Sequence, residues 1–356
     1  MNYSHRFNFS LAVLFVAAVC FSMSAAAAMQ STTERTFSGK VGDKYRVQMR
    51  LKRDGGTLSG TYFYERVRQE LTLRGEIDAK GNFTLREYDA AGTNTGLFKG
   101  AWKPSDCEGC GEYLFGNWSK PDGLKPQPFR LTVFAVEFRG PLALVTKSFA
   151  EKNRKGEPTY EISVEYPQLD GSTNPNITRF NEMIRSKVMK DTATYRDDFR
   201  GGYKGSEFYL SYGVGLANDD LISIDLIYYF YYGGAGQRNA ISETLNYDLK
   251  NGRVLKFEEL FRPGTNYEKL LTDYCVRDLK RHYADEQSMT DETIRLHVDN
   301  VVGDDTKWII TPDGLDFIFD SSEIGPPGAG EANVIVPYKS LRQVINRDGP
   351  LSRLVK

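Results

Sequence analysis

Tyr45, Val47, Met49 and Leu51 alternate with polar neighbours, the period of a half-buried strand. Asp54-Gly55-Gly56 then reads as a hairpin turn, and Leu58 to Tyr64 as the returning strand. Leu71 and Leu73 alternate next, and Ala79-Lys80-Gly81-Asn82 turns the chain into Phe83 and Leu85. Ala90-Ala91-Gly92 turns it again before Leu97 to Trp102, and Tyr113 to Trp118 and Phe129 to Val136 complete the set. About eight short strands separated by turn residues predict an all-β antiparallel meander or small barrel over residues 34–135. Closure would remove the exposed edges of such a sheet. Lipocalins and avidins are its analogues in shape, and a small apolar ligand inside the barrel is one function such a shape allows.

The pattern then changes. Residues 136–158 carry Lys147, Lys152, Arg154, Lys155, Gly156 and Pro158 and read as a linker. Thr159 to Tyr166 is a strand stopped by Pro167. Asn174-Pro175 opens a helix whose apolar face is Ile177, Phe180, Ile184 and Val188. Phe208 to Leu216 and Leu221 to Tyr232 form a hairpin through Asn218-Asp219-Asp220, and Ser242 to Leu249 is a further strand. Thr265 and Glu268 have capping-box spacing for a helix with Tyr267, Leu270, Leu271, Tyr274 and Leu279 inside. Trp308 to Thr311 and Leu315 to Phe319 flank the turn Pro312-Asp313-Gly314, and Asn333 to Val336 is the last strand. Tyr338, Leu341 and Ile345 lie on one side of a final helix. The second half is therefore α+β, with helices packed on an antiparallel sheet. It divides into a companion subdomain over 159–240 and a C-terminal domain over 241–346.

The first residues change the picture of where this protein works. His5 and Arg6 precede an apolar run from Leu11 to Phe21, and Ser24-Ala25-Ala26-Ala27-Ala28 offers small residues for cleavage. Residues 1–28 thus read as a signal peptide, and the protein as exported, periplasmic or secreted. Val19 before Cys20 is a poor fit to a lipoprotein site. The run is too short for a good transmembrane span, and no membrane span is expected in the mature chain. Apolar residues make up 40% and aromatics 13% of the 356 residues, enough for sizeable cores. Charge is uneven: residues 34–135 hold 17 basic and 13 acidic residues, whereas residues 257–345 hold 9 basic and 17 acidic. A C-terminal excess of eight negative charges is either solvated surface or a field that attracts a cationic partner.

Chemistry is sparse. His282 and His297 lack metal-site spacing, and neither a Gly-x-Ser-x-Gly elbow nor His-Glu-x-x-His occurs. Gly233-Gly234-Ala235-Gly236 lacks the Lys-Ser/Thr of a phosphate loop. No cofactor or metal is expected. Cys107-Glu108-Gly109-Cys110 has redox spacing but lies between strands among acidic neighbours. In an exported chain a local disulfide between Cys107 and Cys110 fits this position best; zinc, redox chemistry and free thiols are the alternatives. Cys275 reads as a buried free thiol. Basic residues do not interleave with aromatics as in nucleic-acid binders, and no nucleic acid is expected.

One stretch stands apart. Tyr228-Tyr229-Phe230-Tyr231-Tyr232 puts five aromatics in a row before Gly233-Gly234-Ala235-Gly236-Gln237-Arg238-Asn239. A strand cannot bury all five rings on one face. Tyr231, Tyr232, Gly233, Gly234, Gln237, Arg238 and Asn239 are therefore candidate ligand-binding residues.

Four pieces in order resemble a known family. They are Tyr231-Tyr232-Gly233-Gly234-Ala235; Asn246 to Gly252 with Leu255 to Phe261; Thr311-Pro312-Asp313-Gly314-Leu315; and Glu323-Ile324-Gly325-Pro326 through Gly330 to Val336-Pro337-Tyr338. Over about residues 157–345 the chain resembles an exported α+β domain of uncharacterised function in bacterial envelope proteins. That domain forms the extracellular part of a lysozyme-sensing anti-sigma factor and sits beside some peptidoglycan deacetylase domains. A His common in that family after Gly-Gly-Ala is Gly236 here, and Pro326 to Gly330 lacks the family's Tyr. The resemblance implies a non-enzymatic binding protein recognising a cell-wall component or a cell-wall-active protein, with lysozyme or peptidoglycan as partner. Asp320 and Glu323 join the candidate ligand-binding residues, and the alternative is a cell-wall glycan hydrolase or deacetylase-like enzyme that uses such carboxylates.

Overall fold

The computed structural model describes residues 32–355 except 43, 105–111, 140, 154–157, 202–203, 287, 321–322 and 326–330. The signal peptide and the Cys107–Cys110 disulfide expected from sequence lie outside the described residues.

Eight strands close into an antiparallel barrel in sequential order. They are β1 (Thr33–Val41), β2 (Tyr45–Asp54), β3 (Thr57–Tyr64), β4 (Glu70–Ile77), β5 (Asn82–Tyr88), β6 (Asn94–Pro104), β7 (Glu112–Ser119) and β8 (Gln127–Val133). β1 pairs with both β2 and β8, which shuts the cylinder. The alternation read in β2 holds: Val47, Met49 and Leu51 point inward and are buried. Tyr45, the first residue of the same series, stays 57% exposed at the rim. Phe37, Met49, Tyr62, Leu85, Phe98 and Phe129 belong to one buried cluster. The interior is thus filled by packed side chains, one of the two ways an eight-stranded barrel is occupied.

Residues 136–158, expected as a linker, contain β9 (Val136–Glu137) and β10 (Ala143–Asn153). β10 pairs along its whole length with β11 (Tyr160–Asp170). Its surface charges face solvent while Leu144 and Val145 are buried, so composition alone hid a strand. Pro167 does not stop β11. Pairing with the next strand ends at Val164, so Pro167 lies where β11 has a neighbour on one side only. α1 (Pro175–Arg200) begins at the N-cap Asn174, whose side chain accepts the Asn176 N–H. The helix carries the chain across to β12 (Ser206–Asn218), which runs parallel to β11. That crossover makes the sheet mixed rather than purely antiparallel. β13 (Leu221–Tyr231), β14 (Asn239–Asp248) and β15 (Arg253–Val254) extend it antiparallel. The boundary expected at 240/241 therefore falls inside one sheet.

A 3-10 turn (Phe257–Leu260) leads to α2 (Tyr267–His282) and α3 (Asp291–Val301), which pack on a three-stranded sheet. Its strands are β16 (Trp308–Ile310), β17 (Gly314–Phe319) and β18 (Ala332–Pro337). The expected capping box does not form: the N-cap of α2 is Asn266, and the Thr265 hydroxyl donates to the Arg262 carbonyl instead. The final helix is a single turn, α4 (Tyr338–Leu341). Cys275 is buried and free, and burial pushes its thiol pKa well up. Among the described residues no helix is long and apolar enough to cross a membrane.

The barrel docks on the free edge of β10. The Gln48 side chain donates to the Leu144 carbonyl at 2.5 Å, and Glu65 accepts the Thr146 N–H at 3.1 Å. Two groups of an otherwise unpaired strand edge are satisfied by barrel side chains.

Candidate functional site

The sheet of β10–β15 has two unlike faces. Ile162, Val164, Phe208, Leu210, Ile224, Leu226 and Tyr228 lie in one cluster with Ile177, Phe180, Ile184 and Val188 of α1. The strand period sends the intervening residues to the opposite face. There Tyr209 pairs directly with Tyr229, Glu207 with Tyr231, and Gly213 with Asp225. On β14 the same face continues with Ala240, Ser242 and Thr244.

β16 covers one end of that face. The Ile310 N–H donates to the Ser223 hydroxyl at 2.7 Å, and the Asn246 amide donates to the Trp308 carbonyl at 2.8 Å. At the other end Tyr209 and Tyr229 are 37% and 43% exposed. The Arg238 guanidinium lies 5.7 Å from the centre of the Tyr231 ring and donates to Glu207 at 2.8 Å. The patch Tyr209, Tyr229, Tyr231, Arg238 and Glu207 is thus a partly ordered, solvent-facing aromatic surface.

The sequence-derived candidates separate on this map. Tyr231 and Arg238 belong to the open patch. Tyr232 turns towards α1, where its hydroxyl donates to Asp198 at 3.1 Å and its ring meets Phe199 edge-on. Gly233 is structural: a Cβ there would sit 1.6 Å from the Lys204 carbonyl oxygen, and its N–H donates to the Ser206 hydroxyl. Gly234 has φ near 88° and its N–H donates to the Tyr231 hydroxyl. Gln237 is exposed, and Asn239 begins β14 opposite Phe230. Gly236, where the resembling family has His, has open space around it.

Asp320 and Glu323 are not free cleft acids. Lys307 donates to Asp320 at 2.5 Å and lies 3.1 Å from Glu323. Asp320 also accepts the Ser242 N–H at 2.8 Å, and Glu323 accepts the Asp320 N–H at 2.8 Å. Around this ion triad sequence reading missed a cluster. The Ser242 hydroxyl donates to Glu331 at 2.9 Å and lies 3.3 Å from an Asp225 oxygen. Asp316 takes the Asn333 amide. One oxygen each of Asp225 and Asp316 is buried without a hydrogen-bond partner. Burial, then the neighbouring Glu331 charge, pushes Asp225 up to about 7; burial pushes Asp316 up to about 6. Glu331 is exposed as a residue, but desolvation of its carboxyl against the seam raises it as well. The available signal was a charged residue inside the run from Leu221 to Ile227, which is apolar but for Ser223 and Asp225. Among the described residues no group of His, Cys, Asp and Glu is placed to hold a metal ion.

Residues 258–339 match the model of a family described as a protein of unknown function (DUF3298). The match begins in the 3-10 turn and ends in α4, so it takes in α2, α3 and the β16–β18 sheet with Lys307, Asp320, Glu323 and Glu331. Solved structures similar to the chain include the following two. A DUF3298 family member from Bacteroides fragilis is 20% identical, with a TM-score of 0.47 over 61% of this chain and 98% of that one. A DUF3298 family protein from Pseudomonas aeruginosa is 16% identical, with a TM-score of 0.43 over 58% and 95%. No curated protein matches. The open tyrosine patch lies on strands that precede the DUF3298 segment, and the acid cluster lies on the seam between those strands and the segment.

The raised Asp225 has a measurable consequence. An acid whose folded pKa exceeds its unfolded value holds its proton more tightly in the native state. Its stabilising contribution is complete below the unfolded value of 3.8 and is lost as pH rises to about 7. Asp225→Asn removes that penalty. It is expected to raise stability relative to the parent by on the order of 3 kcal/mol near pH 8 and by little near pH 4. Thermal scans across that range check this; a difference between the two proteins that stays constant with pH would assign the titration elsewhere.

Proposed function

We propose that this chain is a non-enzymatic, exported binding protein and that the open sheet face is its recognition surface. One observation carries the reading. Tyr209, Tyr229 and Tyr231 stand on adjacent strands of a face that no described element covers at that end, with Arg238 held against Tyr231. Tyrosine and arginine are the residues that most often dominate binding energy in interfaces, because they combine large contact area with hydrogen bonding. The adjoining DUF3298 segment carries the chain's acidic excess, which favours a basic partner. Lysozyme, a basic cell-wall-active protein, is the partner of choice, and peptidoglycan the second. A carboxylate enzyme is disfavoured because the Asp320 and Glu323 carboxylates are shared by Lys307.

The test is retention of the purified mature protein on immobilised lysozyme and its co-sedimentation with peptidoglycan, at low and moderate salt. Tyr209→Ala with Tyr229→Ala is expected to weaken retention by roughly tenfold or more, as for loss of interface hot spots. Absence of binding to both at low salt would sink the proposal. Unchanged binding by the double variant would move the surface elsewhere.

A further inference from the structure

A cleft of about 1120 Å³ lies where the barrel mouth meets β10 and β11. Its floor is aromatic. Tyr45, Tyr64 and Trp118 line it, and the rings run inward as a ladder. Tyr45 meets Tyr64 at 6.0 Å, Tyr64 meets Tyr62 at 5.4 Å, and Tyr62 meets Phe98 at 5.4 Å. Trp118 is fixed by its indole N–H, which donates to the buried Glu87 at 2.9 Å. The floor is therefore set by the barrel core before any ligand arrives, which lowers the ordering cost of binding.

The walls are cationic, and the lining acids are already engaged. Glu165 pairs with Arg46 and Lys40, and Asp170 pairs with Arg68. Glu65 accepts from Gln48 and from the Thr146 N–H. These contacts join the barrel to the sheet. Lys44, Arg66 and Lys147 also line the cleft, are exposed, and have no ion-pair partner among the described residues. Three cations above an aromatic floor leave a site with positive charge and apolar area both unmatched.

We propose that this cleft binds an amphiphilic anion: a small molecule with an apolar body for Tyr45, Tyr64 and Trp118, and a carboxylate, phosphate or sulfonate head for Lys44, Arg66 and Lys147. The site is separate from the tyrosine face of the sheet, and its ligand is of the opposite charge to a basic protein partner. An interdomain cleft of this size, lined by aromatics with a few polar groups, is where small ligands commonly bind. Charge-assisted contacts supply the head-group preference.

Two fluorescent probes test this on the full mature chain: anilinonaphthalene sulfonate, and N-phenylnaphthylamine, which lacks the sulfonate. The anionic probe is expected to bind saturably and to quench Trp118. The other two described tryptophans are nearly inaccessible, Trp102 at 6% and Trp308 at 0% exposure. Replacing Lys44, Arg66 and Lys147 together with Gln should weaken the anionic probe by about tenfold or more and leave the uncharged probe within about twofold. These are exposed side chains, and an unchanged thermal midpoint shows that the fold persists. Decanoate and decyl phosphate should displace the anionic probe, and whichever does so at lower concentration identifies the head group. Equal affinity of the parent for both probes, unaltered binding by the triple variant, or the same tryptophan response in Trp118→Phe would each overturn the proposal, as would displacement by neither competitor.

Discussion

Lys307→Met is expected to destabilise the protein by about 3–5 kcal/mol at neutral to alkaline pH, the range seen when one partner of a buried ion pair is removed. The Lys307 side chain is 12% exposed and that of Asp320 is 6% exposed. The ammonium also lies against Glu323, and Asp225, Asp316 and Glu331 share the same seam. Without it, the buried Asp320 carboxylate loses its neutralising partner. Burial works against the Lys307 charge, but hydrogen bonds and attraction from Asp320 and Glu323 outweigh it and raise the pKa. The wild-type contribution is thus complete below the ordinary lysine range and is lost only as pH rises through the elevated value. In the variant the deficit should shrink on acidification towards about pH 5, because protonation removes the uncompensated charge. Denaturant titrations near pH 8 and near pH 5 measure both effects. A loss below about 1 kcal/mol, or a deficit indifferent to pH, would show that the seam relaxes or admits water.

The second large effect belongs to the barrel. Glu87 is 4% exposed, and its carboxylate accepts from three donors: the Tyr62 hydroxyl, the Thr95 hydroxyl at 2.5 Å and the Trp118 indole at 2.9 Å. Burial and the Glu87 charge push the Tyr62 phenol well above the usual tyrosine range, so it remains a donor. Glu87→Ala leaves these donors unmatched inside a closed barrel. A loss of about 3–5 kcal/mol is expected, because each buried donor left without an acceptor costs about 1–3 kcal/mol. Glu87→Gln keeps one acceptor oxygen and should lose less. Trp118 emission reports the event locally, since its ring is no longer held. A stability change under about 1 kcal/mol in Glu87→Ala, with Trp118 emission unmoved, would mean that other groups satisfy the donors.

These two clusters mark where sequence reading reached its limit. The alternation in β2, the Gly55-Gly56 hairpin and the Ile177–Val188 face of α1 were all legible, because each depends on residues a few positions apart. β10 was not: its outward Lys147 and Lys152 resemble a linker until β11 and the docked barrel supply its partners. Pro167 was misread for the same reason, since a missing N–H matters only where a neighbour needs it. The five-aromatic stretch was found from sequence, but its rings divide between two faces. Tyr228 is buried and donates to Asp191, Tyr232 turns to α1, and Tyr229 and Tyr231 lie on the open face of the sheet.

By itself, then, the amino-acid sequence determined the closed β-meander, the α+β second half and the placement of aromatics beside a glycine turn. These follow from local periodicity and turn chemistry, which neighbouring residues fix between them. Only the tertiary structure decided that β16 covers one end of the sheet face and leaves Tyr209 and Tyr229 open. It likewise decided that Asp225, Ser242, Lys307, Asp320 and Glu331 meet, and that the barrel mouth and β10 enclose a cationic cleft. Those meetings join residues far apart in the chain. They depend on strand order and register, which no single segment encodes.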